Sequence, residues 1–172
     1  DARHAATLAP LRAIPRTGLP KADQLNDDLF AQDFQRRLDA QPFKPWLYEA
    51  IRPRDGVQTS SELAELLPFA TVGDYEAWIA RLGKMGTYID QNIALLQTAI
   101  REKRTQPRSI MERIPAQLAK QIPDSAEDSP FFKQFLTYPD AVSAADRERL
   151  TAAARKVISE SVIPAYQRFA AV

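Results

Sequence analysis

Few side chains in this sequence could carry out catalysis or hold a metal. The sequence has no cysteine and a single histidine, His4. The lack of cysteine excludes disulfides, thiolate zinc sites, iron–sulfur clusters and cysteine nucleophiles. A catalytic triad would have to use His4, which lies in the N-terminal segment, and a two-histidine metal site cannot form. We therefore predict no cofactor or metal site within this chain.

Carboxylate pairs are the remaining candidates for acid–base chemistry. They occur at Asp27–Asp28, Glu62–Glu65 and Glu127–Asp128. These pairs fall on polar helix faces or in loops, where neighbouring carboxylates are usually solvated surface. We therefore predict no catalytic residue in this chain, which makes a self-contained hydrolase a poor interpretation.

A small basic cluster lies where a long helix is predicted to end. Its members are Arg101, Lys103, Arg104 and Arg108. Cations at this position complement the negative end of the helix dipole, and they could also bind an anion. The cluster lacks the interleaved aromatic residues of a single-strand binder, and 23 basic against 22 acidic residues give a net charge of only +1. We expect no nucleic-acid partner.

Apolar periodicity indicates an all-α fold. The 172 residues include 5 glycines and 13 prolines, and no run is apolar enough to span a membrane. Three- and four-residue spacing predicts helices over 20–40, 72–103 and 144–172, with shorter ones near 59–67, 107–122 and 129–136. Capping sequences begin several of them, at Thr59, Thr71, Ser129 and Ser143. The prediction is an irregular helical bundle over 1–172, one domain or segment, with a central helix of ~30 residues and kinks at Pro115 and Pro164.

The stretch 41–58 is an irregular connector rich in aromatic residues and prolines. Trp46 and Tyr48 are predicted to be its buried anchors. The polar residues of the same stretch are candidate cleft-lining residues, because a proline-restricted loop loses little freedom on binding: Arg52, Arg54, Asp55 and Gln58. The alternative is a packed connector in which an arginine only pairs with Asp55 at the surface.

The last predicted helix reaches Val172 without a glycine or a polar cap. The first residue is also not methionine. We therefore expect the chain to be the amino-terminal part of a longer polypeptide. Val162, Tyr166 and Phe169 should then form an exposed apolar patch, covered by the rest of that polypeptide or by self-association.

Several stretches resemble a large bacterial family known as domain of unknown function 885. The long predicted helix carries two of them, 74–82 (DYEAWIARL) and 88–96 (YIDQNIALL). Others are 20–26 (PKADQLN), 127–132 (EDSPFF) and 164–166 (PAY). The matches occur in order over nearly the whole chain.

This resemblance implies a secreted or lipoprotein-type protein, periplasmic or extracellular, similar to zinc peptidases of the gluzincin kind. In such proteins a late helix carries a His-Glu zinc signature, which has no counterpart in this sequence, so no metal ligand is carried over. The resemblance implies a non-catalytic amino-terminal helical region that packs on a catalytic half and helps shape it. The alternative is a free-standing helical interaction module.

Overall fold

A computed structural model describes residues 2–48, 51, 52, 54 and 56–172. The described residues form helices and turns without strands, so the predicted all-α class is confirmed. The chain divides into two compact units, Asp1–Pro45 and Trp46–Val172. The expectation of a single domain or segment over 1–172 stays a prediction.

Among its described residues, the first unit contains two α-helices, α1 (Ala2–Arg12) and α2 (Lys21–Asp39), and two short 3₁₀ helices, Arg16–Gly18 and Gln41–Phe43. They pack against each other, with Leu8 buried and the His4 ring edge-on to Phe34 at 5.6 Å between centroids. Arg12 donates to Gln35 across the pair at 2.6 Å. The apolar residues predicted along α2 remain largely exposed at Leu25, Leu29 and Phe30. The helix predicted over 20–40 is confirmed, but the apolar residues along it are mostly exposed to solvent.

The second unit is organised around the 30-residue helix α3 (Val72–Arg101). Thr71 caps it as predicted: its hydroxyl accepts from the Asp74 backbone N–H, while the Asp74 carboxylate accepts from the Thr71 backbone N–H at 2.8 Å. Hydrogen bonds from the side chain and backbone of Thr71 lower the pKa of the Asp74 carboxyl. One face of α3 is buried along its length, at Tyr75, Trp78, Leu82, Met85, Ile89 and Leu96.

The C-terminal helical stretch packs along that face of α3. It consists of α6 (Ala144–Val157), a π-helical segment (Ile158–Val162) and α7 (Ile163–Ala170). The interruption lies just before Pro164, which has no N–H to donate to the preceding turn, so the predicted kink is a π-bulge. Gly86 permits this close approach, since a Cβ at this position would lie 3.2 Å from the Ser161 hydroxyl oxygen.

The predicted exposed patch on the last helix is wrong. Val162, Tyr166 and Phe169 are at most 2% exposed, because α3 and the connector cover them within the second unit. Whether the chain associates with itself or with another segment stays a prediction.

Two predicted helix starts are also wrong. The stretch Val57–Leu66 is a 3₁₀ helix whose Thr59 hydroxyl donates to the carbonyls of Arg54 and Gly56 instead of capping. Ser129 is buried and accepts from the Phe131 N–H within a turn, ahead of a short 3₁₀ helix at Lys133–Phe135. At Thr59, these side-chain hydrogen bonds to backbone carbonyls compete with helix initiation.

The helix predicted over 107–122 is two short ones, α4 (Arg108–Met111) and α5 (Ile114–Ala119). Pro115 occupies the first turn of α5, where its missing N–H costs nothing. The proline therefore starts a new helix and does not kink a continuous one.

Candidate functional site

A groove lies between the Val57–Leu66 helix and the middle of α3. Its volume is about 800 Å³. The connector and the 3₁₀ helix supply one wall, and α3 supplies the other: Arg54, Gly56, Thr59, Ser60, Glu62, Leu63, Glu65 and Leu66 face Arg81, Lys84, Met85 and Tyr88. We call this concavity the groove.

Charges of both signs line the groove. Arg54, Arg81 and Lys84 bring three cations, against the carboxylates of Glu62 and Glu65. Glu65 is already paired, with Lys133 Nζ at 3.4 Å. Within the described part of the chain, no ion pair joins Arg81 or Lys84 to an acidic residue. These two cations therefore remain available to an anionic or carbonyl-bearing ligand.

Apolar side chains also face solvent at the groove. Leu66 is 82% exposed, and Leu63 and Tyr88 are more than two-fifths exposed. Exposed leucine and tyrosine beside cations can contact both the side chains and the polar backbone of a bound peptide.

Buried polar contacts support the connector beneath the groove. The Tyr166 hydroxyl donates to the Val57 carbonyl oxygen at 2.8 Å, and burial raises the pKa of this tyrosine. The Gln121 amide donates to the Gln58 carbonyl oxygen at 3.0 Å, and the Gln58 amide in turn donates to the Arg52 carbonyl. These bonds tie the 3₁₀ helix to α7 and to the segment that follows α5.

The predicted cleft residues occupy different positions. Arg54 lines the groove, whereas Gln58 is 1% exposed and lies in the interior. Arg52 contributes its backbone carbonyl to the Gln58 contact. Asp55 lies outside the described residues. That these residues line a substrate cleft stays a prediction, and the described positions make Arg54 the one with groove access.

The predicted buried anchors of the connector are wrong. Trp46 and Tyr48 are 40% and 37% exposed, while Leu47 and Ile51 are buried in their place. The short 3₁₀ helix Pro45–Tyr48 turns the chain, so that aliphatic Leu47 faces the core and the two aromatic rings face outward.

Three groove residues on α3 were not predicted from the sequence. Arg81, Lys84 and Tyr88 are spaced by three and four residues, which places them on one helix face. This spacing is visible in the sequence, but it does not by itself predict a binding site, because the polar face of a helix is ordinarily exposed to solvent. Only the neighbouring 3₁₀ helix turns this face into the wall of a groove.

A second concavity, the apolar cavity, lies beside the connector and has a volume of about 400 Å³. Its walls are mainly aliphatic and come from the connector, the end of α3, the α4–α5 region and α7, with Leu47, Ile51, Leu96, Ile100, Met111, Ile114, Leu118, Ile122 and Phe169 among them. Arg104, Thr105 and Gln106 contribute its polar edge.

The end of α3 places Arg104 at this cavity. Lys103 adopts a left-handed conformation with φ of 56°, its N–H donates to Ile100, and the Arg104 N–H reaches back to Ala99 at 2.8 Å. These paired bonds form a Schellman motif, which ends the helix and turns the next residue back along it. Arg104 also pairs with Glu102 at 3.7 Å.

The described residues bring no three histidine, aspartate or glutamate side chains together in a group that could hold a metal ion. The described helices also include none with the length and apolar character needed to cross a bilayer.

No curated protein and no solved structure matches this chain. One family model, described as a bacterial protein of unknown function (DUF885), matches residues 1–172. The match extends over the entire sequence, including both compact units. The chain therefore belongs to the bacterial DUF885 family.

Proposed function

We propose that this chain is the non-catalytic helical region of a zinc-metallopeptidase-like bacterial protein, where it packs on the catalytic half and helps shape the substrate cleft. The groove carries this proposal, because it places Arg54 opposite Arg81 and Lys84 in a wide, open channel. On the resemblance stated above, we also propose a periplasmic or extracellular location for the parent protein.

The chemistry of the groove fits an extended peptide. Guanidinium and ammonium groups donate hydrogen bonds to peptide carbonyls and carboxylates, and leucine and tyrosine side chains cover apolar side chains. Arg54 lies within the proline-rich connector, just before the 3₁₀ helix Val57–Leu66, and hydrogen bonds from Tyr166 and Gln121 hold the start of that helix. A wall fixed in this way would bind a peptide with little ordering of its own.

The proposal gives these residues a binding role and assigns the chemical step elsewhere. No residue of this chain is assigned as a ligand of the zinc ion, which would belong to the catalytic half. Arg54, Arg81 and Lys84 would position the peptide, so their loss should affect its capture more than the chemical step.

The alternative is a free-standing helical module that binds another protein. The exposure of Leu63 and Leu66 at the groove favours it, because large apolar side chains at a concave surface are typical of interaction sites. The parent reading frame separates the two proposals. Continuation into a helix with a His-Glu zinc signature supports the first, and its absence supports the second.

The direct test uses the parent protein and a set of fluorogenic peptides. The Arg54→Ala and Arg81→Ala variants should each lower kcat/KM about three- to tenfold, mainly through KM, because each loses a charge-assisted contact in a partly solvated site. Their melting temperatures should stay near that of the unmodified protein, since both side chains face the groove.

Lys120→Ala is the matched control. Lys120 is an exposed cation of the second unit that lines neither the groove nor the apolar cavity. Its removal should leave peptide turnover unchanged. Equal turnover in all three variants would contradict the proposal, and so would a loss in the control as large as that in the groove variants.

A further inference from the structure

The apolar cavity has the size and wall chemistry of a site for one small apolar ligand. Pockets for such ligands have volumes of about 300–1,000 Å³, with mostly apolar walls and a few converging polar groups. This cavity, at about 400 Å³, lies at the lower end of that range. At the ~30 Å³ of a water-sized group in a liquid, this volume corresponds to about 13 such groups, which is enough for an unbranched chain of about ten carbons.

The polar groups of the cavity are confined to one short stretch, 104–106. The Gln106 side-chain amide already donates to the backbone carbonyls of Tyr48 at 3.3 Å and Ile51 at 2.9 Å, so it holds the connector and is not assigned to a ligand. Arg104 supplies a positive charge at the same edge, with about a third of its side chain exposed. The cavity is therefore apolar at its walls and cationic at one edge.

We propose that the apolar cavity binds a medium-chain fatty-acid anion, with its alkyl chain between α3, α5 and α7 and its carboxylate at Arg104. This site is separate from the groove and does not depend on the function proposed for it. A ligand of this class satisfies both features of the cavity, since the chain covers the aliphatic walls and the carboxylate accepts hydrogen bonds from the guanidinium.

The neighbouring charges favour an anion over a neutral alcohol of the same length. Arg101, Lys103 and Arg108 lie close to Arg104 in the sequence, at the end of α3 and the start of α4. Glu102 pairs with Arg104, so a ligand carboxylate must compete with it. Removal of the Glu102 charge should therefore tighten binding of the anion.

Calorimetric titration of the 172-residue chain with sodium decanoate tests the proposal. We expect one saturable site. Because each buried methylene contributes about fourfold in affinity, hexanoate should bind about two orders of magnitude more weakly than decanoate. Decan-1-ol should bind about tenfold more weakly, since it lacks the charge-assisted contact.

Charge variants test the position of the carboxylate. Arg104→Gln should remove the preference for decanoate over decan-1-ol, whereas Glu102→Gln should increase it. Both residues pair at the surface, and circular dichroism melts should show that both variants fold.

Steric variants test the position of the alkyl chain. Ala119 lines the cavity and is exposed on α5, so Ala119→Trp should fill the opening and abolish decanoate binding without disturbing the core. Ala116→Trp is the matched control, because Ala116 is exposed on the same short helix but does not line the cavity. It should bind decanoate like the unmodified chain.

Several results would overturn the proposal. These are the absence of saturable binding at millimolar decanoate, equal affinity for the acid and the alcohol, and equal binding by the two tryptophan variants. A dimer that only Ala119→Trp converts to monomer, in analytical ultracentrifugation without ligand, would show that a second copy of the chain occupies the cavity and would also overturn it.

Discussion

The hydrogen bond from Tyr166 to the connector permits a sharp test of how the groove is supported. Tyr166 is fully buried, and its hydroxyl donates to the Val57 carbonyl oxygen at 2.8 Å. The Tyr166→Phe substitution keeps the ring and removes the oxygen, so it isolates this bond from the packing of the aromatic ring.

The expected loss of stability follows because Tyr166→Phe leaves the Val57 carbonyl without its hydrogen-bond donor. A typical internal hydrogen bond contributes about 0.5–1.5 kcal/mol, and a buried group left without its partner costs about 1–3 kcal/mol. We expect Tyr166→Phe to lower the free energy of unfolding by about 1–3 kcal/mol. The measurement is urea unfolding followed by tryptophan fluorescence, because Trp46 and Trp78 both lie in the second unit and report on it.

Tyr88→Phe is the matched control for this variant. Tyr88 is 45% exposed, so loss of its hydroxyl should change the free energy of unfolding by no more than about 0.5 kcal/mol. A loss below about 0.5 kcal/mol for Tyr166→Phe, or equal losses in the two variants, would refute the view that α7 fixes the connector through this bond.

The pH dependence of stability in the unmodified chain and in Tyr166→Phe gives a second test of this hydrogen bond. Burial raises the pKa of Tyr166 in the folded chain above the value of about 10 expected when it is unfolded. The stabilisation that the neutral Tyr166 hydroxyl gives the folded chain is therefore fully present below pH ~10, and it is lost as the pH rises above that value. The stability difference between the unmodified chain and Tyr166→Phe should shrink by up to about 1.4 kcal/mol per pH unit there. A constant difference up to pH ~11 would contradict this reasoning.

Three further predictions concern the core, the end of α3 and metal binding. Trp78→Ala should cost about 3–5 kcal/mol in urea melts, because the indole is buried and donates to the Phe131 carbonyl at 3.3 Å; a loss under about 1 kcal/mol would be inconsistent with that burial. Lys103→Gly should stabilise the chain by about 0.5–1 kcal/mol, since φ of 56° suits glycine better than lysine. Lys120→Gly, at a right-handed position, should not stabilise it. Calorimetric titration with zinc should give only weak binding to surface carboxylates; a stoichiometric submicromolar site would disprove our prediction from residue types.

Local sequence patterns determined the helices that have strong periodicity and good caps. The run from Tyr75 to Leu96 repeats its apolar residues every three or four positions, and this spacing alone defines one face of α3. Thr71 and Ser143 cap their helices as the sequence predicted, because capping needs only the few residues that follow. The interruption before Pro164 was equally predictable, because it comes from one missing N–H.

Tertiary structure decided the connector, the groove and the apolar cavity. The sequence pattern around Thr59 resembles a capping box, yet the hydroxyl donates instead to two backbone carbonyls. Glutamine is usually found at the surface, yet Gln58 is buried. Its side-chain amide donates to the Arg52 carbonyl and its backbone carbonyl accepts from the Gln121 amide, and these partners lie 6 and 63 positions away in the sequence. Such partners are not adjacent in any local pattern, so their contribution appears only when the chain has folded. The position of Arg104 shows the same limit of sequence reasoning. The sequence predicted that it lies at a helix end, but the cavity that it lines is formed by four segments far apart in the sequence.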